Sequence, residues 1–211
     1  MDIFTHLVIV FIIILLSMTF HEAMHAFTSY WLGDDTARLQ GRLTLNPIAH
    51  IDPFMTILLP LLLALTGAPI FGGAKPVQFD PSRVRYGDFG AALVGAAGPL
   101  TNLILAFIAF GALALLGVDG LIGTCLQLVV YINLGFFIFN LIPIPPLDGS
   151  RILYAVAPEP ARRVMEAIEQ HGLIIIFAAV LLLGPFISTF MLSATSFFLN
   201  AFSLIFGVKM I

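Results

Sequence analysis

Phe20-His21-Glu22-Ala23-Met24-His25-Ala26 is the stretch on which the rest of the chain turns, because it sets two imidazoles and a carboxylate inside an otherwise apolar run. On a helix, His21 and His25 are four residues apart, so they share one face and can share one metal ion, with Glu22 beside them. Outward from this stretch, Ile3 to Leu32 is nearly unbroken apolar sequence. At about 1.5 Å per residue it can cross a hydrocarbon layer of about 30 Å. A cleaved leader fits less well, since Asp2 stands where a basic start is needed and no small-residue pattern closes the run. The helix is expected to stop at Gly33-Asp34-Asp35, where glycine supplies a C-cap and the carboxylates seek water.

Composition sets the solvent in which the histidines sit. Of 211 residues, 60% are hydrophobic and 10% charged, with a mean hydropathy of +1.06. A soluble domain carries about 25% charged residues, so this chain lacks the charge to cover a water-facing surface. An all-α polytopic membrane protein is expected, with the lipid bilayer as its surroundings. The net charge of -3 and the lack of any basic cluster argue against a nucleic-acid partner. The lone Cys125 excludes an internal disulfide.

Arg38 to Pro53 is polar and turn-rich. Leu43 and Leu45 alternate with polar neighbours as in a short strand, and Asn46-Pro47 fits a turn. Asp52 reads as a helix cap with Pro53 at the first helical position, in preference to an auxiliary metal or substrate ligand. His50 has no assigned part. Pro53 to Gly67 carries Pro60 at its middle and reaches about 22 Å as a helix, short for a crossing. Pro76 to Pro81 reads either as a connecting loop or as a proline-bounded edge strand to which an unwound backbone could add.

Phe89 to Leu116 is a second long apolar helix, with Gly95 and Gly98 allowing close helix contact and Asn102 bonding to a neighbouring helix. The tight turn Gly117 to Gly120 makes the next span, Leu121 to Ile142, antiparallel to it. Glu159 to Gln170 fits an interfacial amphipathic helix with Arg162 and Arg163 at the headgroups. Leu173 to Leu183 and Phe186 to Phe206 flank Gly184-Pro185 and read as two spans, in preference to one kinked span plus a fragment. The expectation is one domain, residues 1–211, of about five transmembrane helices with a re-entrant segment and a short β element near the site.

Asp148 is the second anomaly. It follows the broken stretch Pro143-Ile144-Pro145-Pro146-Leu147, and an aspartate at membrane depth costs about 2.5 to 3.5 kcal/mol on insertion scales. A catalytic zinc takes three protein ligands and keeps a fourth position open, and two histidines supply two. Asp148 is the best candidate for the third ligand; the competing reading is a cap on a helix starting near Ser150. If Asp148 joins His21 and His25, the C-terminal ends of the first and third long helices must face the same side. Pro53 to Gly67 must then be re-entrant. Arg38, Arg42, Lys75, Arg83, Arg85, Arg151, Arg162 and Arg163 then share that side, which the positive-inside rule assigns to the cytoplasm. With zinc on His21, His25 and Asp148, Glu22 is the catalytic general base for hydrolysis of a peptide bond.

At these residues the chain also resembles a known family. His21-Glu22-Ala23-Met24-His25, Gly98-Pro99-Leu100-Thr101-Asn102 and Asn140 through Gly149, in this order, are similar to the site-2 protease family of intramembrane zinc metalloproteases. Gly41 to Pro53 and Ala74-Lys75-Pro76-Val77 look like its compact bacterial and archaeal members. The resemblance implies cleavage of transmembrane protein substrates within a cell membrane, one Zn2+ per chain and Asp148 as third ligand. It makes Asn140 a contact for substrate backbone; a helix-packing amide suits Asn140 nearly as well. The chain departs from some members in lacking a span before the histidine helix and any PDZ or CBS domain. Two other classes compete: a metal or ion transporter using His21, Glu22, His25 and Asp148 as a permeation site, and a non-catalytic scaffold that binds membrane helices. Paired broken helices in matching halves would mark the transporter, and no internal repeat is present.

Overall fold

Asp2 opens the first helix, its carboxylate accepting from the Thr5 N–H at 2.9 Å and the Thr5 hydroxyl at 2.7 Å. Helix α1 then runs Ile3–Trp31. The structure is a computed structural model that describes residues 2–58, 62 and 73–208. As expected, α1 ends at a glycine: Leu32 caps it and Gly33 follows at φ +108°. Asp34 corrects the sequence reading, since it is fully buried and not solvated. Its Oδ1 accepts from the Thr36 N–H (3.1 Å) and hydroxyl (2.6 Å), and its Oδ2 from the Asp80 N–H at 2.8 Å. These bonds offset the cost of removing a carboxylate from water.

Two single-turn helices follow, α2 (Thr36–Leu39) and α3 (Pro47–His50). Asn46 caps α3, accepting from the Ile48 N–H at 3.1 Å. Asp52 caps the π-helical turns Pro53–Leu58 as expected, accepting from the N–H groups of Phe54 (2.9 Å) and Met55 (2.8 Å). The short strands do not form among the described residues. Residues 43 and 44 lie in a bend, and residues 45–46 and 73–80 have no regular secondary structure. A strand needs a ladder partner. Here the Lys75, Val77 and Asp80 N–H groups go singly to the His50 carbonyl (2.9 Å), Glu22 (2.8 Å) and Asp34.

Most of Pro53 to Gly67 beyond Leu58 lies outside the described residues, but its described flanks meet. The Gly73 N–H donates to the Met55 carbonyl at 3.1 Å, and the Thr56 hydroxyl to the Gly73 carbonyl at 2.7 Å. Further on, the Arg85 N–H donates to the Leu32 carbonyl at 2.8 Å. The connection therefore leaves and returns at one end of α1, as a re-entrant path requires.

Helices α4 (Asp88–Leu116) and α5 (Gly120–Asn140) form an antiparallel pair, turned by Gly117 in the left-handed region at φ +55°. After the proline-rich break come α6 (Asp148–Val156), α7 (Glu159–Glu169) and α8 (Gly172–Phe206). Helix α8 replaces the two expected spans by one of 35 residues, with Pro185 inside it. In lipid a helix satisfies its own backbone, so one missing N–H does not end it. The Ser188 and Thr189 hydroxyls donate to the Pro185 carbonyl at 2.9 Å each, adding local support. Among the described residues, four helices are long and apolar enough to cross a membrane: α1, α4, α5 and Ile174–Phe206 of α8. On α7, Arg163 is exposed as expected, but Arg162 is held inward by Asp88 at 2.6 Å and by the Ala157 carbonyl at 2.9 Å.

The apolar core lies between α4, α5 and α8, where Phe110, Leu134, Phe137, Leu199 and Phe202 are buried together. The Phe107–Phe202 and Phe137–Phe198 rings meet edge to face at 5.2 and 5.1 Å, each pair contributing about 0.5–1.5 kcal/mol beyond area burial. Gly111 lets α8 close on α4, for a Cβ there would stand 2.7 Å from the Phe206 ring. This core holds the far end of the bundle and leaves the other end to polar side chains.

Candidate metal centre

Two helical stripes face each other across the α1–α4 contact. On α1, Ser17, His21 and His25 recur every four residues; on α4, Val94, Gly98 and Asn102 do the same, which puts each set on one face. The helices run antiparallel, so the stripes meet in reverse order. His25 Nδ1 donates to the Val94 carbonyl at 2.7 Å, and His21 Nδ1 lies 2.6 Å from Asn102 Oδ1. Gly98 sits between them. A Cβ there would be 2.7 Å from His21 Nε2 and closer still to His25 Nε2, so a hydrogen is all that fits.

With both Nδ1 atoms engaged, both Nε2 atoms turn inward, 3.1 Å apart. Asp148, in the first turn of α6, brings Oδ2 to 3.0 Å from His21 Nε2 and 3.4 Å from His25 Nε2. Helix α6 is seated there by Gly95, where a Cβ would lie 3.1 Å from the Asp148 carbonyl oxygen. Burial works to raise the Asp148 carboxyl's pKa, yet the adjoining imidazoles hold it well below the usual carboxylate range. In its ionised form a carboxylate only accepts.

The residues fit a zinc ion. Ligand atoms at about 2.0–2.1 Å from a tetrahedral zinc stand about 3.3 Å apart, and the three observed separations are 3.1, 3.0 and 3.4 Å. These are two nitrogens and one carboxylate oxygen, a borderline donor set that suits zinc. Among the described residues, His21, His25 and Asp148 form the one such group.

Glu22 lines the same cleft, a cavity of about 760 Å³ that also takes in His25, Asp148, Val77 and Gln78. Its Oε2 accepts the Val77 N–H at 2.8 Å, and Oε1 has no hydrogen-bond partner among the described residues. Residues 73–80 therefore pass directly over the carboxylate. They are tied down further by the buried Arg42, whose guanidinium donates to the carbonyls of Ala49 and Lys75.

Asn140 does not join the cluster: its Nδ2 donates to the Phe136 carbonyl of its own helix at 3.0 Å. His50 also stands apart, donating from Nε2 to the Thr44 carbonyl at 2.9 Å, with Nδ1 buried and unpartnered among the described residues. Burial pushes its pKa down, as does Arg42. The sequence reading missed the contact of Asn102 with His21, the Val94 carbonyl and the Val77 N–H. The first left a signal, since Gly98 and Asn102 repeat the four-residue spacing of His21 and His25. The others are backbone groups and carry no sequence signal.

Comparison with known proteins bears on this site. Residues 118–184 match the family model described as peptidase family M50. The chain is 39% identical over 193 residues to "Putative zinc metalloprotease YwhC" of Bacillus subtilis, covering 87% of this chain and 85% of that protein. It is 32% identical over 176 residues to "Putative zinc metalloprotease Rip2" of Mycobacterium tuberculosis, covering 81% of this chain and 65% of the relative. No solved structure matches it.

Proposed function

Since the chain belongs to peptidase family M50, the site-2 protease family, we propose that it is a zinc endopeptidase that hydrolyses peptide bonds in or near transmembrane segments of membrane protein substrates. The observation that carries this reading is the meeting of His21 Nε2, His25 Nε2 and Asp148 Oδ2 from separate helices, within 3.4 Å of one another, beside a half-free Glu22 carboxylate. One zinc ion held by these three residues would supply Lewis acidity, which makes water a nucleophile near neutral pH and polarises a carbonyl.

This chain's own groups do the rest. Val94 and Asn102 aim the two imidazoles. Val77 N–H fixes one oxygen of Glu22, and the other takes the proton of the attacking water and returns it to the leaving amine. A substrate helix must unwind before its carbonyl can enter the cleft, because helical carbonyls are already bonded. The Gln78 N–H and C=O, unbonded among the described residues, are available to an unwound strand. Asn140 spends one N–H on the Phe136 carbonyl, and its second N–H and its Oδ1 are the groups it could offer to substrate.

Purified wild-type protein should cleave a model transmembrane substrate in detergent, and Glu22→Gln should lower the rate by about 10²–10⁴-fold, the scale of general-base catalysis. A chelator should abolish cleavage and added Zn2+ restore it. Cleavage by neither protein, with metal flux surviving in liposomes, would overturn the protease reading in favour of transport.

A further inference from the structure

The buried amides of Asn102 and Asn133 carry more than a helix-to-helix bond. Both side chains are fully buried, and their hydrogen bonds form a chain with one consistent direction. It starts at the Val129 carbonyl of α5, which can only accept. Asn133 Nδ2 donates to it at 2.9 Å and to the Ser17 hydroxyl at 2.9 Å. This fixes which end of the Asn133 amide is which, so its Oδ1 must be the atom facing Asn102. Asn102 Nδ2 donates to that oxygen at 2.8 Å and lies 3.4 Å from the Ser17 carbonyl. Asn102 Oδ1 is thereby turned to His21, 2.6 Å from Nδ1. An amide oxygen can only accept, so a proton of His21 sits on Nδ1, and the neutral ring that would bind an ion then keeps its lone pair on Nε2, beside Asp148 and His25.

We propose that Asn102 and Asn133 are positioning residues for the metal centre: they lock the His21 side chain in the Nδ1–H tautomer and the rotamer that present Nε2 to the ion. Asn133, on a third helix, reaches His21 through Asn102. The inference rests on the reading of His21, His25 and Asp148 as a zinc site, and assigns to residues outside that set a share of its affinity. Groups that bond the far nitrogen of a metal-ligating histidine set its orientation and basicity, and their loss typically weakens metal binding by about 10–100-fold. A polar bond serving only helix packing affects folding and leaves metal affinity alone.

The test is zinc affinity, measured on purified protein in detergent by competition with a chromogenic chelator, beside far-UV circular dichroism for folding. Wild type should bind zinc and His21→Ala should not. Asn102→Leu should bind about 10–100-fold more weakly while folded. Asn133→Leu should lose less, and the double variant no more than Asn102→Leu alone. Asn102→Asp, which keeps an acceptor for Nδ1–H but loses the amide that donates to Asn133 Oδ1, should fall between wild type and Asn102→Leu. If Asn102→Leu does not accumulate, Asn133→Leu and Asn102→Asp carry the test with 15N spectra of the imidazoles. There the His21 proton should remain on Nδ1 in Asn102→Asp and lose its single assignment in Asn133→Leu. Wild-type affinity and an unchanged His21 spectrum in Asn133→Leu or Asn102→Leu would overturn the proposal while leaving the zinc site standing. A wild type that binds no zinc would overturn both.

Discussion

At the residue scale the site depends as much on what is missing as on what is present. Gly98 lies opposite two imidazoles whose far nitrogens are already held, by Asn102 at 2.6 Å and by the Val94 carbonyl at 2.7 Å. Neither ring can swing away from an added methyl without breaking a buried bond. Gly98→Ala should therefore cost about 1–3 kcal/mol of stability, as overpacking does, and should remove bound zinc. Metal analysis after dialysis and a thermal melt check both parts; retained zinc would show that the rings can give. The sequence made His21, Glu22, His25 and Asp148 legible because ionisable groups in apolar surroundings are rare and need a reason. Asn102 was legible as a polar group needing a partner, but not which partner. The Val94 carbonyl and Val77 N–H could not be read at all, since every residue has such groups and only folding brings a given one to the site. Asp34 misled because water is the usual answer to a carboxylate after a helix, and here two N–H groups and a hydroxyl take its place.

At the element scale the least regular piece is the one that covers the cleft beside Glu22. Residues 73–80 are held by Arg42, His50, Glu22 and Asp34 through isolated bonds. The sequence suggested a strand from its bounding prolines, but strandhood depends on a ladder partner that sequence does not specify. Arg42 is the strongest tie, since its buried guanidinium serves two carbonyls at once. Arg42→Met keeps the length and removes both bonds to these part-buried carbonyls, a loss of about 0.5–1.5 kcal/mol for each bond. The loss falls on the loop, because the proposed metal ligands belong to α1 and α6. The variant should keep its zinc, lose cleavage activity and become sensitive to chymotrypsin after Phe79. Loss of zinc together with activity would mean that the segment supports the metal directly. Helix α8 carries the opposite lesson: Gly184-Pro185 signals a break in water, and in a bilayer the same pair sits inside one helix.

At the scale of the whole molecule, the metal site and the charges give the same answer about direction. The carboxyl end of α1, the amino end of α4 and the carboxyl end of α5 lie together, because His25 meets Val94 and Asp148 meets both histidines. Every connection at that end carries arginine or lysine: Arg38, Arg42, Lys75, Arg83 and Arg85 between α1 and α4, and Arg151, Arg162 and Arg163 between α5 and α8. The turn at the other end, Gly117-Val118-Asp119-Gly120, has none. Positive charge in short loops stays on the cytoplasmic side, so the cleft should open toward the cytoplasm with the start of α1 outside. Two exposed positions test this in a background where Cys125 is replaced. Asp119→Cys should react with a membrane-impermeant maleimide in intact cells, and Ser82→Cys only after permeabilisation. The reverse pattern would invert the protein and put the cleft outside. Labelling of both positions from one side would break the path itself, since α4 then could not cross the membrane between them.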